Sequence, residues 1–221
     1  MTNFSKQIDS IKKKLTQAKQ VDADLKVFGA GGHRYEIYSP VSLAQVEFFE
    51  KEYSIQLPSC YRAFVLQVGN GGTSYKNSGA GPFYGIYPFG ENVDDLIYGN
   101  PEKYLKEPCV LKPTVTNKYW ENMTNIFFDE NISDNDYYSA IGKIYSGILP
   151  IGFQGCSYLH ALVLNGMYKG KVVNLEMSAE QAPKFAHEKN FLDWYERWLD
   201  EVISGKLITV SPSWFGYAKK N

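Results

Sequence analysis

Several residue types are scarce in this chain, and each scarcity closes off a class of protein. The three cysteines, Cys60, Cys109 and Cys156, are far apart and odd in number. That fits reduced thiols in the cytoplasm better than a secreted disulfide framework. The three histidines, His33, His160 and His187, stand 127 and 27 residues apart. None has a second ligand at the short helical or loop spacing that metal sites use, so neither a metal nor a cofactor is expected. No apolar run approaches the ~18 residues of a membrane span. No apolar segment follows Met1-Thr2-Asn3-Phe4-Ser5-Lys6-Gln7, as a signal peptide requires. Lysine plus arginine number 23 against 24 acids, a net charge of −1. The basic excess with which nucleic-acid binders hold phosphate is therefore missing. Repeats and long Pro/Ser linkers are absent as well. The expectation is one cytoplasmic globular domain that touches neither membrane nor nucleic acid directly.

Aromatic surface is what the chain has in plenty: 15% of its residues are Phe, Tyr or Trp. That suggests a β-rich core, an adhesive face, or both. Apolar residues at Phe4, Ile8, Ile11, Leu15 and Ala18 form a narrow helical stripe, with Lys12, Lys13 and Lys14 largely on the solvated side. Such a helix either lies on the domain as an accessory element of residues 1–28 or forms a seam to another chain. After a break at Gly29–Gly32, residues 34–38 alternate like a short strand. Ser42 with Gln45 makes a capping-box pattern, Val41 can staple onto Val46, and Val46, Phe49 and Tyr53 share a face. Pro58 opens a second helix over 59–68 that turns Tyr61, Phe64, Val65 and Val68 inward, and Asn70-Gly71-Gly72 ends it.

An aromatic strand is expected between Gly79 and Gly90, then short helices near 93–98, 116–123 and 135–142. Strands at 148–151 and 158–164 follow, and an Asn165-Gly166 to Gly170 turn returns the chain into 171–175 as a hairpin. A helix over 191–204, capped by Asn190 with Asp193 in its first turn and stopped by Gly205, carries a wide apolar face. A disordered tail is expected only for the few residues after Tyr217. This order reads as a single α+β domain with a mixed, mostly antiparallel sheet packed by helices.

Chemistry is hard to find. Gly29-Ala30-Gly31-Gly32 lacks the strand before and helix after that a phosphate loop needs. Cys156 and His160 would sit roughly 13 Å apart along a strand, beyond the reach of a base activating a nucleophile. His160, in an apolar strand, reads as a structural side chain with a local partner. From Glu121 to Asp136 five acids occur with no lysine or arginine: Glu121, Asp129, Glu130, Asp134 and Asp136. Phe127, Phe128, Tyr137 and Tyr138 interleave with them. This stretch is either a solvated acidic loop or a surface for a basic partner, where acids steer and rings anchor.

Val46-Glu47-Phe48-Phe49-Glu50, then Leu57-Pro58, Tyr61, Phe64 and Asn70-Gly71-Gly72, resembles the SUKH superfamily signature. Ile148-Leu149-Pro150-Ile151-Gly152-Phe153 resembles that superfamily's central strand and glycine. The likeness runs over roughly residues 39–203 of a domain spanning 29–221. It implies a SUKH-like fold and a bacterial, non-enzymatic immunity protein that binds and neutralises a cognate protein toxin, commonly a nuclease or other effector. The alternative it implies is a regulatory scaffold of the fungal cell-wall-assembly type. An enzyme with an unrecognised site is the third reading. In physical terms Glu50, Leu57, Pro58, Tyr61, Phe64, Asn70, Gly71, Gly72 and Gly152 look structural, and the partner-binding candidates are Asp129, Glu130, Asp134, Asp136, Phe127, Phe128, Tyr137 and Tyr138.

Overall fold

The computed structural model describes residues 4–97 and 100–212. In chain order the helices are α1 (Ser5–Val21), α2 (Ala30–His33), α3 (Leu43–Glu52), α4 (Ser59–Gln67), α5 (Pro101–Tyr104), α6 (Asn117–Thr124), α7 (Asp134–Ile144), α8 (Phe191–Ile203) and α9 (Lys206–Thr209). The strands are β1 (Gly85–Ile86), β2 (Ile148–Gly155), β3 (Tyr158–Val163), β4 (Val172–Glu176) and β5 (Lys184–Phe185). They form one sheet whose spatial order follows the chain, and every described pairing is antiparallel. The protein is thus a single-domain α+β fold, with an antiparallel rather than mixed sheet. β3 and β4 are buried along nearly their whole length. A strand covered on both faces reads as a continuous apolar run, which is how these two read in sequence.

The local rules hold where the signal is short-range. Ser42 accepts from the Gln45 amide while the Gln45 side chain reaches back, completing the capping box of α3. Asn190 accepts from the amides of Leu192 and Asp193 at 2.9 and 3.2 Å, and Gly205 stops α8 with a φ of +78°. α4 follows Pro58 and buries Tyr61, Phe64 and Val65, with Val68 buried at its C-cap. Tyr61 and Phe64 meet the Phe191 ring of α8 edge-on, both at 5.0 Å. α1 lies along α8, sinks Ile8 and Ile11 into the same core, and faces Glu196 with Gln7, Ser10 and Lys14.

Four local expectations fail, each because tertiary contacts override pattern. Residues 34–38 are not a strand. Arg34 and Tyr35 take positive φ, and the Tyr35 hydroxyl donates 2.7 Å to the buried Asp22 carboxylate instead of alternating along a ladder. Between Gly79 and Gly90 only Gly85–Ile86 is strand, with one further bridge from Gly79 to Ile86. Glycine and proline break the rest, and Gly81 packs flat beneath the Trp198 ring. Residues 93–97 form turns instead of a helix, Tyr98 lies outside the described residues, and the short helix comes later, as α5. Finally, a helix and not a strand follows Gly29. What that glycine serves is contact, since a Cβ there would overlap the Phe83 carbonyl. The stretch after Tyr217 also lies outside the described residues.

Two stability tests follow from this packing. Tyr61→Ala and Phe64→Ala should each cost about 3–5 kcal/mol as core truncations, and a wild-type melting temperature in both would remove these rings from the core. Gly71 has a φ of +63°, and a Cβ on Gly72 would stand 2.6 Å from Gly79 Cα. Gly71→Val should therefore strain the backbone by about 1–3 kcal/mol, and Gly72→Val should be penalised by overlap. Unchanged urea midpoints for both valine variants would sink this account of the turn.

Candidate functional site

The signature residues at Glu50–Gly72 and Gly152 are placed as framework. A carboxylate oxygen of Glu50 accepts from the Leu57 amide at 2.9 Å and meets Arg62 at 3.5 Å, while the Glu50 carbonyl accepts from Ile55. The seven-residue spacing from Glu50 to Leu57 is the loop that this carboxylate closes. Asn70 serves through its side chain: its amide oxygen accepts from the Phe89 amide and holds the aromatic 79–90 loop against α4. The left-handed residue of the turn is Gly71. Gly152 lets β1 approach, because a Cβ there would lie 2.8 Å from the Gly85 carbonyl oxygen.

The histidines and cysteines are similarly disposed. His33 Nδ1 accepts from the Tyr35 amide at 2.9 Å. Burial pulls the His33 pKa down to about 4, against the opposing pull of Asp22. His160 is wholly enclosed, beneath Phe83 and 4.9 Å from the Trp194 ring. Burial lowers its pKa to about 3, with Asn174 opposing. Cys156 sits exposed at the β2–β3 turn, while His160 is deep in β3, so the two do not form a nucleophile–base pair. Burial raises the Cys60 and Cys109 thiols, the latter to about 11, which keeps them protonated. Among the described residues no group of three or more His, Cys, Asp or Glu is arranged to hold a metal, and no helix is long and apolar enough to cross a membrane.

The acidic and aromatic residues at 127–138 are the exposed remainder. α6 leads through a 3-10 turn (Asn125–Phe128) and a loop into α7, and the loop makes a ridge. Asp129, Glu130, Asp134 and Asp136 are all exposed on it. Two of these acids also have local work. Asp129 accepts from the Asn131 amide at 2.9 Å, and Asp136 exchanges hydrogen bonds with the α7 N-cap Ser133. Asp134 and Asp136 stand in the first turn of α7, where the helix dipole favours negative charge. The side chains of Glu130 and Asp134 make no hydrogen bond or ion pair among the described residues.

The rings divide. Phe127 and Tyr137 are half-buried and meet edge-on at 5.7 Å, while Phe128 is 58% and Tyr138 47% exposed. Phe127, Phe128 and Tyr137 line a cleft of about 210 Å³ together with Asp95 and Met177. On the other side of the turn, Asp129 and Asp136 edge a groove floored by Met123, Ile126 and Ile132. Glu130, Asp134 and Tyr138 line neither hollow. Asp95 and Met177 carried no sequence signal, because more than 30 residues separate each of them from the ridge. The ridge offers carboxylates for cations and rings for desolvated contact.

This is a single-domain α+β protein whose antiparallel sheet, with strands in chain order, is packed against helices, with framework residues gathered around the α3–α4 turn. The family model described as SMI1 / KNR4 family (SUKH-1) matches residues 40–197, and the chain belongs to that family. The matched segment begins just before α3 and ends within α8, so α1 and α2 lie outside it. No curated protein and no solved structure matches the chain.

A pH test separates the two buried histidines from the surface acids. Both have folded pKa values below the unfolded 6.5, so the unfolded chain binds protons that the native one refuses. Stability is full above pH 6.5 and is lost as pH falls toward 4 and then 3. Between pH 6.5 and 5, where ordinary carboxylates are still ionised, the loss should be about 1.5 kcal/mol per histidine. Urea stability that is flat across that window would overturn the burial of both side chains, and His160→Phe should remove about half of the slope.

Proposed function

We propose that the protein is a non-enzymatic immunity protein, acting in a bacterial cytoplasm, that neutralises a cognate protein toxin by direct contact. The family supports this, since its members are generally non-catalytic immunity or regulatory proteins. The observation that carries the capture face is the ridge itself: four exposed carboxylates beside the exposed rings of Phe128 and Tyr138, with no lysine or arginine from residue 121 to 136. Such a surface attracts a basic domain, as many nucleic-acid-cleaving toxins must be to hold phosphate. It repels nucleic acid itself. Acids on a rim steer encounter, and a ring entering a partner's pocket slows release.

Co-expression of the chain with the toxin domain encoded beside its gene tests the immunity reading. Restored growth is expected. Binding without protection would favour the regulatory-scaffold reading, and neither binding nor protection would end both. Association kinetics test the face. The on-rate should fall with rising salt, because charges are screened over about 8–10 Å. It should fall further when Asp129, Glu130, Asp134 and Asp136 become Asn or Gln. Phe128→Ala or Tyr138→Ala at a true anchor should instead speed dissociation, at a cost of about 2 kcal/mol or more. An unchanged on-rate in the fourfold variant, with folding verified, would remove the ridge from the interface.

A further inference from the structure

The most exposed ring among the described residues lies away from the ridge, on α3. Phe48 is 68% exposed. It borders a groove of about 420 Å³ between α3 and the turn at 88–91, lined also by Ala44, Phe49, Glu52, Phe89 and Glu91. The floor is held in place. Phe49 packs 4.7 Å from both Tyr53 and Phe89, and Asn70 fixes the Phe89 backbone. Gly90 turns the chain at the groove's edge with a φ of +81°, and a Cβ there would touch the Phe49 ring at 3.6 Å, an ordinary contact.

The rim is acidic. Glu52 and Glu91 line it. Burial, then Glu52, Glu102 and Asp94, raises the pKa of the Tyr53 hydroxyl, so the field of three carboxylates converges beside the floor. None of Glu52, Glu91, Asp94 and Glu102 is in an ion pair among the described residues. No basic side chain lines the groove, Lys51 sits outside it on α3, and Lys103 lies over the Tyr104 ring at 4.8 Å. An apolar hollow with an uncompensated acidic rim selects its occupant by charge as well as by shape.

We propose that this groove docks a surface segment of a partner protein that carries one large apolar side chain flanked by lysine or arginine. The apolar side chain lies between Phe48 and Phe89, and the flanking cations meet Glu52 and Glu91. Chain continuity extends the idea. Glu91 lines this groove and Asp95 lines the cleft at Phe127, so at most about 14 Å of backbone separates the two. A partner gripping the ridge can reach the groove as well, yet the groove stands as a site whether or not the ridge captures a toxin.

The probes are fluorescein-labelled synthetic 11-residue peptides with a central phenylalanine flanked by lysines, the same peptide flanked by glutamates, and the lysine peptide with central alanine. Anisotropy against the full chain should show binding of the first alone. Amide shifts in NMR spectra should cluster at residues 44–52 and 88–91. Phe48→Ala, a surface change that leaves the fold intact by circular dichroism, should weaken binding at least tenfold. The double variant Glu52→Gln, Glu91→Gln should weaken it at least threefold and flatten its salt dependence. No binding up to millimolar peptide, equal binding of the three peptides, or indifference to Phe48→Ala would each overturn the proposal. So would sedimentation showing a dimer that Phe48→Ala dissolves, because the occupant would then be a second copy of this chain.

Discussion

The structure depends on one packed object, the aromatic face of α8. Phe191, Trp194, Tyr195 and Trp198 are all essentially inaccessible, and each is held by a different part of the chain. Phe191 takes the edges of Tyr61 and Phe64 from α4. Trp194 lies against His160 in β3. Tyr195 donates 2.9 Å to the Ala80 carbonyl in the irregular 79–90 loop. Trp198 stacks on Tyr35 and covers Gly81. Four large side chains on one helix thus tie α4, the sheet, the glycine-rich loop and the N-terminal segment into one core. Rings bury 150–250 Å² each and prefer offset or edge contacts, so a helix this aromatic fixes orientations as well as burying area.

The same helix explains Gly81. A flat indole can lie on backbone only where no Cβ intervenes, and a Cβ on Gly81 would come 2.1 Å from the Trp198 ring. The other glycines of the loop serve other neighbours: Gly79 packs on Gly71 and the Glu36 carbonyl, and Gly85 on Gly79 and Ser78, while Phe83 stacks on His160 of β3 and Tyr84 meets Phe153 of β2. On the opposite side of α8 the chemistry is polar. Glu196 receives Gln7, Ser10 and Lys14 from α1, and Arg197 joins Glu188 and Glu201. Hydrogen-bond partners and the Lys14 charge hold the Glu196 carboxyl below its usual range in spite of burial. This seam orients α1, while the burial of Ile8 and Ile11 supplies most of its attachment.

What could be read from sequence divides along the same line. α3, α4, α8 and the β3–β4 hairpin were legible because caps, periodicity and turn residues act within a few positions. The spacing of Glu50 and Leu57 was visible without its reason, which is a hydrogen bond closing a loop. Residues 34–38 have strand-like composition and form no strand, and 79–90 keeps only Gly85–Ile86 as strand, since Asp22, Trp198 and Tyr195 claim polar groups and surfaces of these stretches from far away. The acidic ridge was legible as an exposed acid-and-ring stretch. That Ser133 and Asp136 cap α7 was equally available as a short-range pattern and weakens the case that all four acids exist for a partner. The groove at Phe48 was half legible: periodicity puts Phe49 on one face with Val46 and Tyr53, but only the fold brings Phe89 and Glu91 beside the exposed Phe48.

That last contrast bears on how a binding surface can be specific. Helix α3 buries Val46 and Phe49 in the core, so Phe48 contributes little to folding and exposes apolar area that the packing does not require. Phe128 stands in the same relation to its cleft, where Phe127 and Tyr137 do the packing. In both places an inward ring builds a rigid floor with an outward ring beside it; at the Phe48 groove Glu52 and Glu91 are in no ion pair among the described residues, whereas at the cleft Asp95 is paired with Lys76 at 2.7 Å. Preorganised rings cost a partner little entropy on binding, and unpaired acids set which partners approach. Residues 91–95 join the two places in one stretch of chain. A substitution there, outside the signature stretches though beside Phe48 and Phe49, is the kind of change by which such a surface alters its partner without altering its fold.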